Sequence, residues 1–67
     1  MTLNISKIVK VMSQKNGFDY TQKDLAADLN CSMQTISNWK KRTNPSADYI
    51  NRIIKLSGLN YNDLWID

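Results

Sequence analysis

Apolar residues in the first part of the chain recur at spacings of three and four, which is the spacing of one helix face. Asn4 stands before this pattern as an N-cap residue, and Gly17 follows it as a C-terminal stop. We therefore expect a first helix from Asn4 to Lys15. Its apolar positions are Ile5, Ile8, Val9 and Met12.

A second, shorter pattern predicts a helix from Gln22 to Leu29. Thr21 precedes it and offers a side-chain oxygen to a free backbone N–H. Asp24 places a negative charge in the first turn, where the helix dipole favours it. The apolar face of this helix consists of Leu25, Ala26 and Leu29.

A third helix is predicted from Met33 to Lys41, after the cap residue Ser32. Only Asn30 and Cys31 separate the second helix from this cap. Asn tolerates the left-handed conformation that such a tight turn needs. Two helices joined this closely indicate a helix-turn-helix over residues 22–41. The apolar stripe of the third helix consists of Met33, Ile36 and Trp39.

A fourth pattern predicts a helix from Ala47 to Ser57, ended by Gly58. Its spacing is helical and lacks the strict alternation of a half-buried strand. Asp48 and Arg52 are four residues apart, so we expect them to pair. The apolar positions are Tyr49, Ile50, Ile53, Ile54 and Leu56.

The end of the chain is expected to form one more short helical turn, from about Tyr61 to Trp65, capped by Asn60. All five segments then have helical patterns. The prediction is a single all-α domain over residues 1–67, arranged as a compact five-helix bundle.

Composition narrows the class of partner. The chain has 67 residues, with 9 Lys and Arg against 6 Asp and Glu, a net charge of +3. A domain of this size buries only about 60% of its unfolded surface, so apolar residues on helix faces are expected to serve the core. A small basic domain suggests a polyanionic partner, such as nucleic acid or an anionic membrane surface.

The side chains that catalysis, disulfides and metal binding need are scarce. The chain has no His, no Glu and a single cysteine, Cys31. We therefore expect no intramolecular disulfide, no metal site and no cofactor. The Asp residues are scattered and none sits beside a plausible nucleophile, so we expect no enzyme. No apolar run approaches the ~20 residues of a membrane span, and the first residues lack a signal-peptide layout, so we expect a reduced, cytoplasmic protein.

The helix-turn-helix segment has a residue pattern with a geometric reason. Its two helices would cross at about 90–120°, so a small residue is needed where they approach, and Ala26 supplies it. The wider pattern consists of Gln22, Leu25-Ala26, Leu29, Gln34-Thr35, Ile36, Ser37-Asn38-Trp39, Pro45-Ser46 and the segment from Gly58 to Leu64. On this pattern, the chain resembles the helix-turn-helix domain of Cro/CI-type phage repressors, the lambda-repressor-like family. The resemblance covers nearly the whole chain, from about Ile5 to Leu64.

Two positions depart from that family's pattern. The turn residue after the second helix is usually Gly in the family, and here it is Asn30. Pro45 follows Trp39 by one residue fewer than the family pattern suggests. We therefore expect an unusual path for the loop after the third helix.

The resemblance implies that the third helix lies in the major groove of DNA, with its N-terminal residues at base edges. Gln34 and Asn38 are four residues apart, and their amides match the N6/N7 edge of adenine. Met33 either touches a thymine methyl group or packs inward. The implied base contacts are Met33, Gln34, Thr35, Ser37 and Asn38.

The resemblance also implies phosphate contacts, which give affinity and orientation but no sequence information. Gln22 begins the second helix, where free N–H groups can meet a phosphate. Three basic residues lie at the end of the third helix and just after it, and they are expected to contact the DNA backbone: Lys40, Lys41 and Arg42. The implied phosphate contacts are Gln22, Lys23, Ser32, Lys40, Lys41 and Arg42.

Several residues have a second interpretation. Trp39 could stack on a base, but we favour core packing because it continues the stripe of Ile36. The basic run that starts at Lys40 could be a solvated helix end that the dipole favours. Trp65 and Ile66 either close the core or form a dimer contact, and the sequence supports both equally. A redox role for Cys31 is disfavoured, because only the start of the third helix would lower its pKa.

The functional hypothesis is a phage or bacterial transcription regulator, a repressor, which binds a palindromic double-stranded DNA operator as a homodimer. Half-sites are expected about 34 Å apart. No small-molecule ligand and no membrane partner are expected. The chain is either a complete Cro-like protein or the N-terminal piece of a longer repressor. The alternative is a helix-turn-helix antitoxin or antirepressor, which would hold a protein partner through an acidic or apolar outer face of the third helix.

Overall fold

The computed structural model describes residues 2–41 and 43–66 of the chain. In this part the protein forms four α-helices, one short 3₁₀ helix and a two-stranded antiparallel sheet. The elements in chain order are β1 (Thr2–Leu3), α1 (Ile5–Asn16), α2 (Gln22–Leu29), α3 (Met33–Lys41), α4 (Ala47–Ser57), the 3₁₀ helix (Tyr61–Leu64) and β2 (Trp65–Ile66).

The predicted N-cap of α1 and the predicted glycine stops of α1 and α4 are confirmed, and α1 ends at Asn16, one residue after the predicted Lys15. The Asn4 side chain accepts a hydrogen bond from the Lys7 N–H at 3.1 Å, which satisfies one of the free donors at the start of α1. Gly17 and Gly58 end α1 and α4 in the left-handed conformation, with φ of 74° and 76°.

The turn between α2 and α3 forms as the sequence predicts. Thr21 and Asp24 form a reciprocal capping box at the start of α2. Asn30 adopts the left-handed conformation at φ 56° and ψ 47°, so it takes the backbone role that Gly has in the family. The Cys31 N–H then donates to the Ala26 carbonyl at 2.9 Å, which closes the turn against α2.

The expectation of a five-helix, all-α fold is wrong at the two ends of the chain. The fifth segment is a 3₁₀ helix from Tyr61 to Leu64, and the Asn60 side chain forms no cap hydrogen bond. Trp65 and Ile66 leave it as a strand that pairs with β1, in the register Thr2 with Ile66 and Leu3 with Trp65. The pairing satisfies backbone groups that a further helical turn at the terminus would leave open.

One hydrophobic core joins all these elements. It includes residues from both termini as well as from the helices, and the Asn4 N–H donates to the Leu64 carbonyl at 2.7 Å to hold the termini together. The most deeply buried large side chains are Leu3, Ile8, Leu25, Leu29, Ile36, Ile53 and Leu64. Within the described ranges, no helix combines the length and the apolar character needed to cross a membrane.

Candidate nucleic-acid interface

Helix α3 has one face in the core and the opposite face in solvent. Ile36 and Trp39 are the buried residues of this helix, at 0% and 4% exposure. The Trp39 ring meets the ring of Tyr49 on α4 edge to face, with 5.2 Å between centroids. The prediction that Trp39 packs in the core is confirmed, and α3 is thereby fixed against α4.

The outward face follows from helix geometry. Successive residues are about 100° apart around the axis, so Gln34, Asn38 and Lys41 lie opposite Ile36 and Trp39. The three outward side chains are exposed. The segment Met33–Lys41 contains no Asp or Glu, so this face is amide-rich and cationic. Such a face suits a partner with negative charge and hydrogen-bonding base edges.

The two amides of this face contact each other. Gln34 Nε2 donates a hydrogen bond to Asn38 Oδ1 at 3.2 Å. Two predicted base-contact residues are therefore brought together on one surface. A third, Ser37, is half-buried on the side of this surface.

Ser32 and Thr35 form the start of α3. The Thr35 N–H donates to Ser32 Oγ at 3.1 Å, which confirms Ser32 as the cap. The two hydroxyl groups are also 3.0 Å apart and share a hydrogen bond. Ser32 is exposed and Thr35 is half-buried, so the Ser32 hydroxyl is the more accessible of the two to a phosphate.

Met33 points out of the core at the N-terminal end of α3. Its side chain is 46% exposed, so the interpretation in which it packs inward is not supported. An exposed thioether at this position is available to an apolar group such as a thymine methyl.

The basic residues after Trp39 lie in different surroundings. Lys41 lies on the outward face, whereas Lys40 lies on the flank and lines a cavity of about 90 Å³ with residues 2–6 and Ile66. Both lysines are exposed. The third member of the predicted phosphate set, Arg42, lies outside the described residues.

The loop after α3 bends back on the helix. The Thr43 N–H donates to the Asn38 carbonyl at 3.2 Å, and Pro45 is buried. Pro45, which comes one residue earlier than in the family pattern, therefore packs just before the start of α4.

The start of α2 presents the two other predicted phosphate contacts. Gln22 is half-buried and Lys23 is exposed in its first turn. Backbone N–H groups at a helix N-terminus favour an anion. The capping box at Thr21 and Asp24 leaves the Lys23 ammonium on the surface beside this end.

Arg52 joins α4 to the end of α2, a contact that the sequence did not predict. The expected pair with Asp48 is confirmed at 3.0 Å. The same guanidinium donates to the Leu29 carbonyl at 3.3 Å, where α2 ends, and lies over the Tyr49 ring. The spacing of four predicted the pair, but no local pattern indicates a contact with a carbonyl 23 positions away.

Two polar groups near the turn are held in the neutral form. Burial raises the pKa of the Cys31 thiol, which disfavours the thiolate needed for redox chemistry. Burial, together with a hydrogen bond to Asp28, also raises the pKa of Tyr20. Among residues 2–41 and 43–66, no group of three or more His, Cys, Asp and Glu is placed to hold a metal ion.

The predicted dimer-contact residues have different environments. Trp65 is half-buried and packs against the core, with its ring 5.6 Å from that of Tyr61. Its indole Nε1 is buried and has no hydrogen-bond partner among the described residues. Ile66 is 48% exposed.

A comparison with protein families gives one match over nearly the whole chain. The family model described as the bacteriophage CI repressor helix-turn-helix domain matches residues 4–66. This agrees with the resemblance inferred from the sequence. No curated protein and no solved structure gives a significant match.

Proposed function

Because the chain belongs to the bacteriophage CI repressor helix-turn-helix domain family, a family of DNA-binding regulators, we propose that it regulates transcription by inserting α3 into the major groove at a specific operator. The outward face of α3 is the observation on which this proposal rests. Gln34, Asn38 and Lys41 are exposed there, and Ile36 and Trp39 fix the opposite face in the core.

The two kinds of contact have separate tasks. Met33, Gln34, Asn38 and the flanking hydroxyl groups of Thr35 and Ser37 contact base edges and give sequence preference. A surrounding set contacts phosphates and gives affinity and orientation. That set consists of Gln22, Lys23, Ser32, Lys40, Lys41 and Arg42.

The protein binds a palindromic site as a homodimer, since one α3 contacts only one half-site. Trp65 and the exposed Ile66 belong to the proposed dimer contact. Occupation of promoter DNA then represses transcription in the cytoplasm of the host cell. DNA is favoured over the protein partner of an antitoxin or antirepressor because the outer face of α3 contains no acidic residue.

Selection of binding sites from random double-stranded DNA tests this function. The expected result is an enriched palindrome with half-sites about 34 Å apart, one helical turn. Affinity for this site should fall steeply with salt, by about 10³–10⁵ between about 50 and 200 mM if six to ten phosphates are contacted. No enrichment, together with a flat response to salt, would exclude a DNA target and favour the protein-partner alternative.

A further inference from the structure

The part of the chain that the structure describes contains three sulfur atoms, in Met12, Cys31 and Met33, and they differ in their access to solvent. Met12 is buried in the core, whereas the side chain of Met33 is nearly half exposed at the first residue of α3. Cys31 is half-buried in the turn before that helix. A small oxidant in solution therefore meets the thioether of Met33 before that of Met12.

The thiol of Cys31 competes poorly for such an oxidant. A peroxide oxidises cysteine through the thiolate. Burial raises the pKa of the Cys31 thiol, so the neutral form is favoured. A thioether has no proton to lose and needs only access, which its exposure gives to Met33.

Met33 also lies among residues of the proposed DNA-contact face. The cap residue Ser32 precedes it, and the exposed Gln34 follows it. Oxidation to the sulfoxide turns this flexible apolar side chain into a polar one. The sulfoxide then fits poorly against an apolar group such as a thymine methyl, and it places a further oxygen on a face that meets phosphates.

We propose that Met33 is a reversible oxidation site through which a peroxide weakens operator binding. The sulfur lone pair attacks one oxygen of hydrogen peroxide, an S–O bond forms, the O–O bond breaks, and water leaves after proton transfer. The sulfur is oxidised by two electrons and the peroxide is reduced. The inference rests on the proposed function, since the thioether affects DNA affinity only if α3 enters the groove.

Peptide mass spectrometry after treatment with hydrogen peroxide tests the site itself. In the folded protein, Met33 should gain one oxygen atom several-fold faster than Met12, because only Met33 is exposed. The difference should disappear in urea, where the unfolded chain exposes both residues. Equal rates in the folded protein, or oxidation of Cys31 before Met33, would overturn the assignment.

Fluorescence anisotropy then measures the effect of oxidation on DNA binding, with the operator selected from random DNA. The oxidised wild type should bind this operator about five- to tenfold more weakly, the size expected for loss of one apolar contact. Its affinity for random DNA should change little, because Met33 is not a phosphate contact. Methionine sulfoxide reductases A and B should restore operator affinity, since together they reduce both sulfoxide epimers.

Substitutions identify which sulfur is responsible. Met33→Leu keeps an apolar side chain of similar size that cannot be oxidised. Whatever its starting affinity, this variant should bind the operator equally well before and after peroxide. Met12→Leu and Cys31→Ala are the matched controls, and both should lose operator affinity on oxidation as the wild type does. The inference is wrong if Met33→Leu loses as much as these controls.

The outcomes separate this site from the function on which it depends. Oxidised and untreated protein should give the same thermal unfolding curve, because Met33 is exposed. A lowered curve would attribute the loss of binding to the fold and would overturn the inference. If the oxidised protein keeps its full operator affinity, the inference is wrong and specific binding stands. An untreated wild type that binds selected and random DNA equally would exclude both.

Discussion

Helices α3 and α4 each pack one face into the core, but their polar faces are used differently. On α4, Asp48 neutralises Arg52, and the guanidinium bonds the end of α2, so these charges serve the protein's own structure. On α3, Lys41 stands with Gln34 and Asn38 on a face whose helix contains no acidic residue. The polar groups of α4 therefore serve the fold, whereas the cation and amides on the outward face of α3 stay accessible to a partner.

Trp39→Ala tests the contact that both helices share and should have the largest effect. Trp39 is 4% exposed and packs on Tyr49, so truncation leaves a cavity between α3 and α4. The expected loss is about 3–5 kcal/mol in the free energy of unfolding, measured by urea denaturation followed by circular dichroism. Met33→Ala is the control on the same helix, and its exposed side chain should contribute less than about 0.5 kcal/mol. Equal losses for the two variants would contradict the assigned faces of α3.

Arg52→Met tests whether the polar face of α4 serves stability. The variant keeps an apolar stem but removes the partner of the Leu29 carbonyl and of Asp48. We expect a loss of about 1–3 kcal/mol in the free energy of unfolding, since the carbonyl at the end of α2 loses its donor. Lys55→Met, an exposed cation on the same helix, is the control and should be close to neutral.

The same pair of variants also tests the functional half of the comparison. Once measured on fully folded protein, Arg52→Met should lower the affinity for operator and for random DNA no more than Lys55→Met does. A larger loss on either DNA would mean that Arg52 contacts DNA and that the contrast between α3 and α4 is wrong.

Lys41→Ala tests how much the outward face of α3 contributes to DNA affinity. Loss of one phosphate contact should lower affinity about five- to tenfold per subunit on all sequences and reduce the salt slope by about one. Fluorescence anisotropy at several salt concentrations measures both quantities. Lys55→Ala on α4 is the matched control and should change neither. A loss confined to the operator would mean that Lys41 contacts a base.

Local signals were sufficient to predict the bounds of α2, α3 and α4, the end of α1 to within one residue, and the buried face of α3. Caps such as Asn4 and Thr21 and the spacing of apolar residues act over one or two turns, so they are visible in the sequence. The spacing of Gln34 and Asn38 likewise placed both amides on one face, where the structure joins them.

Long-range contacts were not predictable in the same way. The strands Thr2–Leu3 and Trp65–Ile66 have two residues each, too few for an alternating pattern, and they pair across the length of the chain. The bond from Arg52 to Leu29 depends on how α4 packs against α2. Lys40 and Lys41 are adjacent in sequence, yet only the packing of α3 shows that Lys40 flanks residues 2–6.

Substitution of Tyr20 should have the smallest effect. Like Arg52, Tyr20 is a polar residue that serves the fold. Its ring is buried and its hydroxyl donates to Asp28, and both features keep the phenol neutral and raise its pKa. The unfolded chain ionises this phenol near the ordinary pKa of about 10, whereas the folded chain does not. The contribution of Tyr20 is therefore complete below about pH 10 and is lost as pH rises above it.

Tyr20→Phe should lower the free energy of unfolding by about 0.5–1.5 kcal/mol at neutral pH, because it removes one hydrogen bond and keeps the ring. The decline in stability above about pH 10 should also become shallower, since the variant has no phenol to ionise at this position. Urea unfolding from about pH 7 to pH 11 measures both, with the exposed Tyr61→Phe as the reference for loss of a phenol. DNA preference should not change, because Tyr20 lies on the core side of the helix-turn-helix. An unaltered alkaline slope would show that burial and Asp28 do not hold this group neutral.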